Sequence, residues 1–322
     1  RFSDEKVTAA RNFSNKVWNA MKFVLMNCED DLSFEGVDES KFTLEDKWIL
    51  NKLNTLIAEA TTNIENYDYG VALAKIVDFI WECYCDWYIE IAKSRLFDKE
   101  CPTRLEAQYL LNKILGTSMQ LLHPFMPFIT EEVFSNLVID GKAESIMISD
   151  WPVVNEKYSF DAEEKQMETL MDAIRSIRNI RSEMGVVPSR KANIIVVTES
   201  DSVAEMFVNG KAFLQRLASV DDLTTQKDKS GIPSTAVTCV FAGGEVYIPL
   251  GDLIDIDKEI ERLNKEKEKL EGELKRVSGK LSNENFVSKA PAKVIDEEKA
   301  KQAKYQEMYN NVVERISMLA TL

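Results

Sequence analysis

Histidine is almost missing from this chain: among 322 residues there is one, His123. An acid–base or nucleophilic centre built on imidazole needs a partner hydroxyl, thiol or carboxylate at a defined place. The context His123-Pro124-Phe125-Met126-Pro127 offers none, so the ring is expected to fill a corner between helices. Glycine-rich phosphate loops are also absent, and Gly243-Gly244 reads as a turn. No apolar run reaches the roughly eighteen residues of a membrane span, so no membrane role is expected. The five cysteines, Cys28, Cys83, Cys85, Cys101 and Cys239, are odd in number and show no paired spacing. That argues against a disulfide framework and for a reducing, cytoplasmic setting. Cys83 and Cys85 lie two apart on an aromatic-rich helix, about 200° from each other around it, so no metal site is expected there. A basic-then-apolar leader is missing too. Arg1-Phe2-Ser3-Asp4-Glu5-Lys6 already reads as the start of a helix, and the chain reads as part of something longer.

What is abundant is acid. The net charge is −14, which bears on solubility, while binding follows local patches. Three islands run against the trend, each with an excess of three positive charges. Residues 1–28 carry five bases against two acids, and residues 169–191 also carry five against two. Residues 269–293 carry six bases against three acids.

The fold class predicted from periodicity is mainly α, in three parts. Residues 1–158 read as an antiparallel bundle with helices over 3–27, 43–67, 70–97, 104–122 and 129–137, Pro127 standing where a first helical residue would. Thr43 with Asp46 three residues on is a plausible start for the second. Residues 159–252 read as a small α/β module: a helix over 161–184, a strand over 194–198, a helix over 203–217, a strand over 222–225 and a hairpin of 236–241 with 245–248. From residue 253 to 322 the pattern is heptad. Ile256, Ile260, Leu263, Leu270, Leu274, Val277 and Leu281 step by four and three, interrupted at Lys267. A second helix over 296–319 carries Tyr305, Met308, Val312, Ile316 and Leu319, so the two should pair as an antiparallel coiled-coil hairpin.

The first helix is the most informative surface. With Arg11 at zero and about 100° per residue, Lys22, Asn15, Thr8, Asn19 and Asn12 all follow within about 100° of it. Ala10, Phe13, Val17, Ala20, Met21 and Val24 take the opposite side and should face the bundle. The polar stripe has no carboxylate, whereas a solvated face usually mixes both signs. Asparagine is a poor helix former, so three of them cost stability unless they bind something. Amides beside Arg and Lys suit base edges and phosphates. The second island sets Arg175, Arg178 and Arg181 at three-residue spacing, and they could equally pair with local acids. The third places Lys275, Arg276, Lys280, Lys289 and Lys293 around the tip of the hairpin, where a rigid arm would reach a phosphate backbone. The competing reading is a helical, coiled-coil adaptor for protein partners, which would lack the steep salt dependence of phosphate binding.

Longer stretches carry a resemblance. Ala10-Arg11-Asn12-Phe13-Ser14-Asn15-Lys16-Val17-Trp18-Asn19-Ala20-Met21-Lys22-Phe23 resembles the helix that opens the anticodon-binding bundle of the valyl-tRNA synthetase family. Cys85-Asp86-Trp87-Tyr88-Ile89-Glu90, the run from His123 to Glu132, and Ser149-Asp150-Trp151-Pro152 are similar to the same class I family. The run from Ile177 to Met184, followed by Val187-Pro188, fits its linker helix, and the run from Lys280 to Pro291 is similar to the hairpin turn special to the valine enzymes. The resemblance implies that the bundle reads an anticodon stem-loop and that the hairpin packs on the tRNA elbow. It places anticodon contacts on Arg11, Asn12, Asn15, Lys16, Asn19 and Lys22. RNA-backbone contacts would fall on Arg175, Arg178 and Arg181, and elbow contacts on Lys275, Arg276, Lys280, Lys289 and Lys293. The partner implied is tRNA for valine, not DNA, bound by a monomer. The family joins valine to tRNA with ATP and magnesium, but its H-I-G-H and K-M-S-K-S motifs occur nowhere here. This chain alone is therefore expected to be non-catalytic and to hold no cofactor.

Overall fold

The computed structural model describes residues 3–28, 32–233, 235–253, 256–283 and 292–320. They belong to two compact units, 1–174 with 212–218, and 175–211 with 219–322. The division runs through helix α7 (Asp161–Glu183) and not at residue 158, where the sequence grammar changes. The α/β module and the hairpin share the second unit.

In the first unit, α1 (Asp4–Met26) is capped by Ser3 and buries Phe13, Val17, Ala20, Met21 and Val24 at the spacing expected of one apolar face. Ala10 departs from the expectation: residues 4–12 are all exposed, because the first turns of α1 extend beyond its packing partners. Helix α2 (Leu44–Glu65) opens with a complete capping box between Thr43 and Asp46. It ends in a turn where Tyr67 has φ 64° and the Asp68 N–H reaches back to the Asn63 carbonyl at 2.8 Å. That position usually takes glycine, since a side chain there meets the following carbonyl.

The predicted third helix is continuous but not uniform. It runs as α3 (Tyr69–Asp78), a π-helical segment (Phe79–Tyr88) and α4 (Ile89–Phe97). Helices α5 (Arg104–Leu122) and α6 (Pro127–Asn136) complete the bundle, and the first half of α7 is tied to α2 by Lys47–Glu163 and Lys52–Glu164 ion pairs at 3.1 and 2.6 Å. Tyr84, from the π segment, donates from its hydroxyl to the Leu111 carbonyl at 2.8 Å.

Below this apolar packing lies a charged knot. Arg95 Nη1 donates to both oxygens of Asp46, at 2.8 and 2.9 Å, and to Glu45 at 3.3 Å. Its Nη2 and Nε reach the Thr103 carbonyl and hydroxyl at 2.7 and 3.0 Å, and Tyr88 donates to Asp46 at 2.8 Å. All three ionisable groups are buried.

In the second unit, β1 (Ala192–Val197) and β2 (Val220–Gln226) pair in parallel. Strands β3 (Val237–Phe241) and β4 (Gly244–Ile248) are antiparallel to each other, β4 also pairs antiparallel with β1, and the order is β2-β1-β4-β3. The turn sits one residue earlier than expected, at Ala242-Gly243. Gly244 belongs to the strand, where an added Cβ would lie 2.5 Å from the Val197 carbonyl oxygen. The helix expected over 203–217 is two, since Gly210 closes the first: α8 (Asp201–Asn209), in this unit, and α9 (Lys211–Ala218), whose residues 212–218 belong to the first unit. A single turn, α10 (Leu250–Leu253), precedes the hairpin of α11 (Ile256–Leu281) and α12 (Ala292–Ala320). Ion pairing of Lys280 with Glu298, and a hydrogen bond from the Tyr309 hydroxyl to Glu271, fix the antiparallel register. Leu263, Leu270, Val277 and Val312 are buried in the seam. The side chains of Ile256 and Leu319 lie outside the described residues.

The knot has a testable sign. Burial, and then Asp46, push the Glu45 carboxyl above its ordinary 4.5, with Arg95 pulling the other way. A carboxyl whose folded pKa exceeds its unfolded one weighs against the fold as pH rises above the unfolded value, and that weight vanishes below it. Arg95→Met should therefore cost about 3–5 kcal/mol near neutral pH, read from urea unfolding. The cost should shrink as the pH falls toward 4.5 and the stranded Glu45 carboxyl takes up its proton. An equal cost at both pH values would show that side-chain shape, not charge, sets the loss.

Candidate nucleic-acid interface

The amide-and-cation stripe of α1 is where its periodicity put it: Arg11, Asn12, Asn15, Asn19 and Lys22 are all exposed. At about 100° per residue Trp18 falls about 20° from Arg11, on the flank opposite Lys22. It is 38% exposed, a large aromatic standing among polar groups. An indole in that place can stack on an unpaired base while its neighbours address base edges and phosphates. The signal was present in the sequence, in the same angular count that gathered the asparagines.

Lys16 is different. Its Nζ lies 2.6 Å from Asp86 Oδ1 and 4.0 Å from the centre of the Trp81 ring, which itself stacks on Phe13. Trp81 and Asp86 are five residues apart, a separation that an α-helix spreads by about 140° but that a π-helix returns to one face. The π segment thus builds the seat into which Lys16 folds, and Lys16 anchors α1 where the other five residues of its set point outward. Cys83 lies near Lys52 of α2 and Cys85 near Lys16 of α1, so the two thiols serve different neighbours; burial raises them to about 11 and about 12.

The second island divides. Arg175 and Arg178 are exposed. Arg181 is 6% exposed, and its Nη2 donates to the carbonyls of Val187 and Arg190. Burial lowers its pKa, and an RNA backbone cannot reach it, which corrects the expectation for that residue. At the hairpin, Lys275 and Arg276 are exposed, Arg276 being held by Glu273 at 2.6 Å. Lys280 is joined at 3.4 Å to Glu298, a carboxylate buried in the seam and also paired with Lys301 at 3.0 Å. Lys289 lies outside the described residues, and so does the side chain of Lys293, in the first turn of α12.

His123 does fill a corner: its Nδ1 is 2.7 Å from the Thr130 hydroxyl and its Nε2 3.1 Å from the Met147 sulfur. The Thr130 hydroxyl donates to the Met126 carbonyl, so the imidazole Nδ1–H is the donor to threonine. A cavity of about 590 Å³ lies between α2, α5 and residues 152–158, where Lys113 bonds the hydroxyls of Tyr109 and Tyr158. Among the described residues no cluster of three or more His, Cys, Asp or Glu could hold a metal ion, and no helix is long and apolar enough to cross a membrane.

The opposed faces of α1 separate binding from stability. Arg11→Ala and Asn15→Ala should weaken binding to an anticodon stem-loop, each by roughly 1–3 kcal/mol by analogy with duplex readout, and leave the thermal midpoint nearly unchanged. Val17→Ala should cost roughly 1–3 kcal/mol of stability through the cavity it opens. Unfolding on Arg11→Ala, followed by circular dichroism, would overturn the assignment.

Comparison with known proteins meets this geometry. Residues 46–196 match the anticodon-binding domain of tRNA ligases, and residues 255–320 match the valyl tRNA synthetase tRNA binding arm. Valine–tRNA ligases of Clostridium perfringens and Clostridium acetobutylicum are 47% and 44% identical over 319 residues, and that of Bacillus thuringiensis 42% over 320. In each case the match takes in 99% of this chain and 36% of the relative, so the chain spans about a third of the length of the proteins it matches. Carrying both tRNA-recognition domains in order, and alike along nearly its whole length, the chain belongs to the valyl-tRNA synthetase family.

Proposed function

We propose that this chain is the RNA-recognition part of a valine–tRNA ligase. The bundle reads the anticodon stem-loop through α1, and the hairpin α11–α12 lies on the elbow of the same tRNA. What supports this most is the α1 face over residues 11–22: two cations, three amides and an indole exposed together with no carboxylate in that stretch. Amides that both donate and accept read base edges, the cations neutralise phosphate, and the indole stacks. Arg175 and Arg178, and Lys275 and Arg276 toward the tip, supply backbone contacts that position the RNA without reading it. Lys16 and Lys280 act at one remove, holding the elements that carry the contacts. Valine activation with ATP and magnesium belongs to the part of the relatives that this chain does not span. The chain works as a monomer on tRNA in the cytoplasm and has no cofactor of its own.

Deleting residues 255–322 should weaken binding to full-length valine tRNA and flatten its salt dependence, by about 0.7–0.9 in slope for each phosphate no longer neutralised. Affinity for the isolated anticodon stem-loop should be unchanged, since that ligand has no elbow. The same preparation should show no valine-dependent ATP–pyrophosphate exchange above a no-protein control. Equal losses for both RNAs in a filter-binding titration would mean that the hairpin supports the bundle instead, and would favour a protein-binding adaptor.

A further inference from the structure

The root of the hairpin is bolted to the sheet by groups that the periodicity of the sequence does not single out. Extending the β1–β4 register by two residues sets Asn193 opposite Pro249, just past the end of β4. The ladder stops there, and the Pro249 nitrogen has no N–H to offer the Asn193 carbonyl. The Asn193 N–H turns instead to Asp252 Oδ2 at 3.0 Å, and its own Nδ2 donates to the same oxygen at 2.9 Å. Two residues before β1, Arg190 approaches the same turn. Its Nε donates to the Asp252 carbonyl at 2.6 Å and its Nη2 to the Gly251 carbonyl at 2.7 Å. Those carbonyls end the single turn α10, where helical bonding leaves acceptors unmet. Leu253, the last residue of that turn, is buried. Arg190 is itself held in place, because its carbonyl accepts from the buried Arg181 of α7. A relay of two guanidiniums therefore runs from α7 through the turn at 187–190 to the residues that launch α11.

We infer that Arg190, Asn193 and Asp252 are positioning residues for the arm, fixing the angle at which the coiled coil leaves the α/β module. This rests on the proposed role of the arm in holding RNA. A two-site binder gains from its second site through effective concentration, which falls when the link between the sites loosens. Arg190 and Asn193 thus act on RNA binding by limiting where the basic tip can be, without touching RNA.

The test uses the full chain with Asp252→Ala, Arg190→Ala and the conservative Asp252→Asn, which retains an acceptor. Amide hydrogen exchange at Asn193 and over 250–253, without RNA, should speed up in the two alanine variants and stay near the parent rate in Asp252→Asn. Affinity for a full-length valine tRNA transcript should fall roughly tenfold in the alanine variants, with an unchanged salt slope and unchanged stem-loop affinity. Parent-like exchange in both alanine variants overturns the clamp. Faster exchange with unchanged tRNA affinity, or equal loss for tRNA and stem-loop, overturns the positioning role. A salt slope reduced by about one in Arg190→Ala would make Arg190 a phosphate contact instead. If removing 255–322 leaves tRNA affinity intact, the RNA role of the arm fails, while the exchange measurement still decides the clamp.

Discussion

The carboxylate of Asp46 is the constraint on which the bundle depends. It closes the N-terminus of α2 through the Thr43 N–H, neutralises Arg95, and accepts the hydroxyl of Tyr88. Arg95 in turn binds Thr103 ahead of α5. One buried side chain thereby sets the mutual position of α2, the π segment, α4 and the start of α5. A charge in the interior must be matched in place, so none of these segments can shift by a residue without stranding another. The α1 surface rests on the same frame, since Trp81 and Asp86, which seat Lys16, lie on the helix that carries Tyr88 and Arg95.

Where a helix keeps one period, the sequence showed its faces. The buried set Phe13, Val17, Ala20, Met21 and Val24, and the exposed set Arg11, Asn12, Asn15, Asn19 and Lys22, both follow from a constant step along α1. Ala10 broke that pattern because periodicity says which way a residue points, not whether a neighbour reaches it. The third helix hid more. A constant step fails across Phe79–Tyr88, where the helix is π-wound, so the pairing of residues five apart around Lys16 had no signature in an α-helical count. The coiled-coil seam was legible from Leu263 to Val277, but Glu298 was not, because a carboxylate at a core position reads as a break until its two lysines are in view.

The basic islands illustrate what local charge cannot say. All three stood out equally in the chain. On α1 the cations Arg11 and Lys22 are presented outward, whereas in the second island Arg181 and Arg190 hold backbone carbonyls of their own unit. An arginine satisfied by carbonyls and one held ready for phosphate look alike in sequence, since the acceptors are main-chain atoms that any residue supplies. What separates them is which carbonyls the fold brings within reach, and that belongs to tertiary structure. The family match, by contrast, drew on order along the chain, which needs no coordinates at all.

The first compact unit is not continuous: residues 212–218, the bulk of α9, belong with residues 1–174, although they are separated from them by β1 and α8. A growing chain folds domain by domain from its N-terminus as it emerges. Here the earlier unit lacks one helix until translation has passed residue 218, by which time part of the later unit has already been made, so the two units mature in overlap.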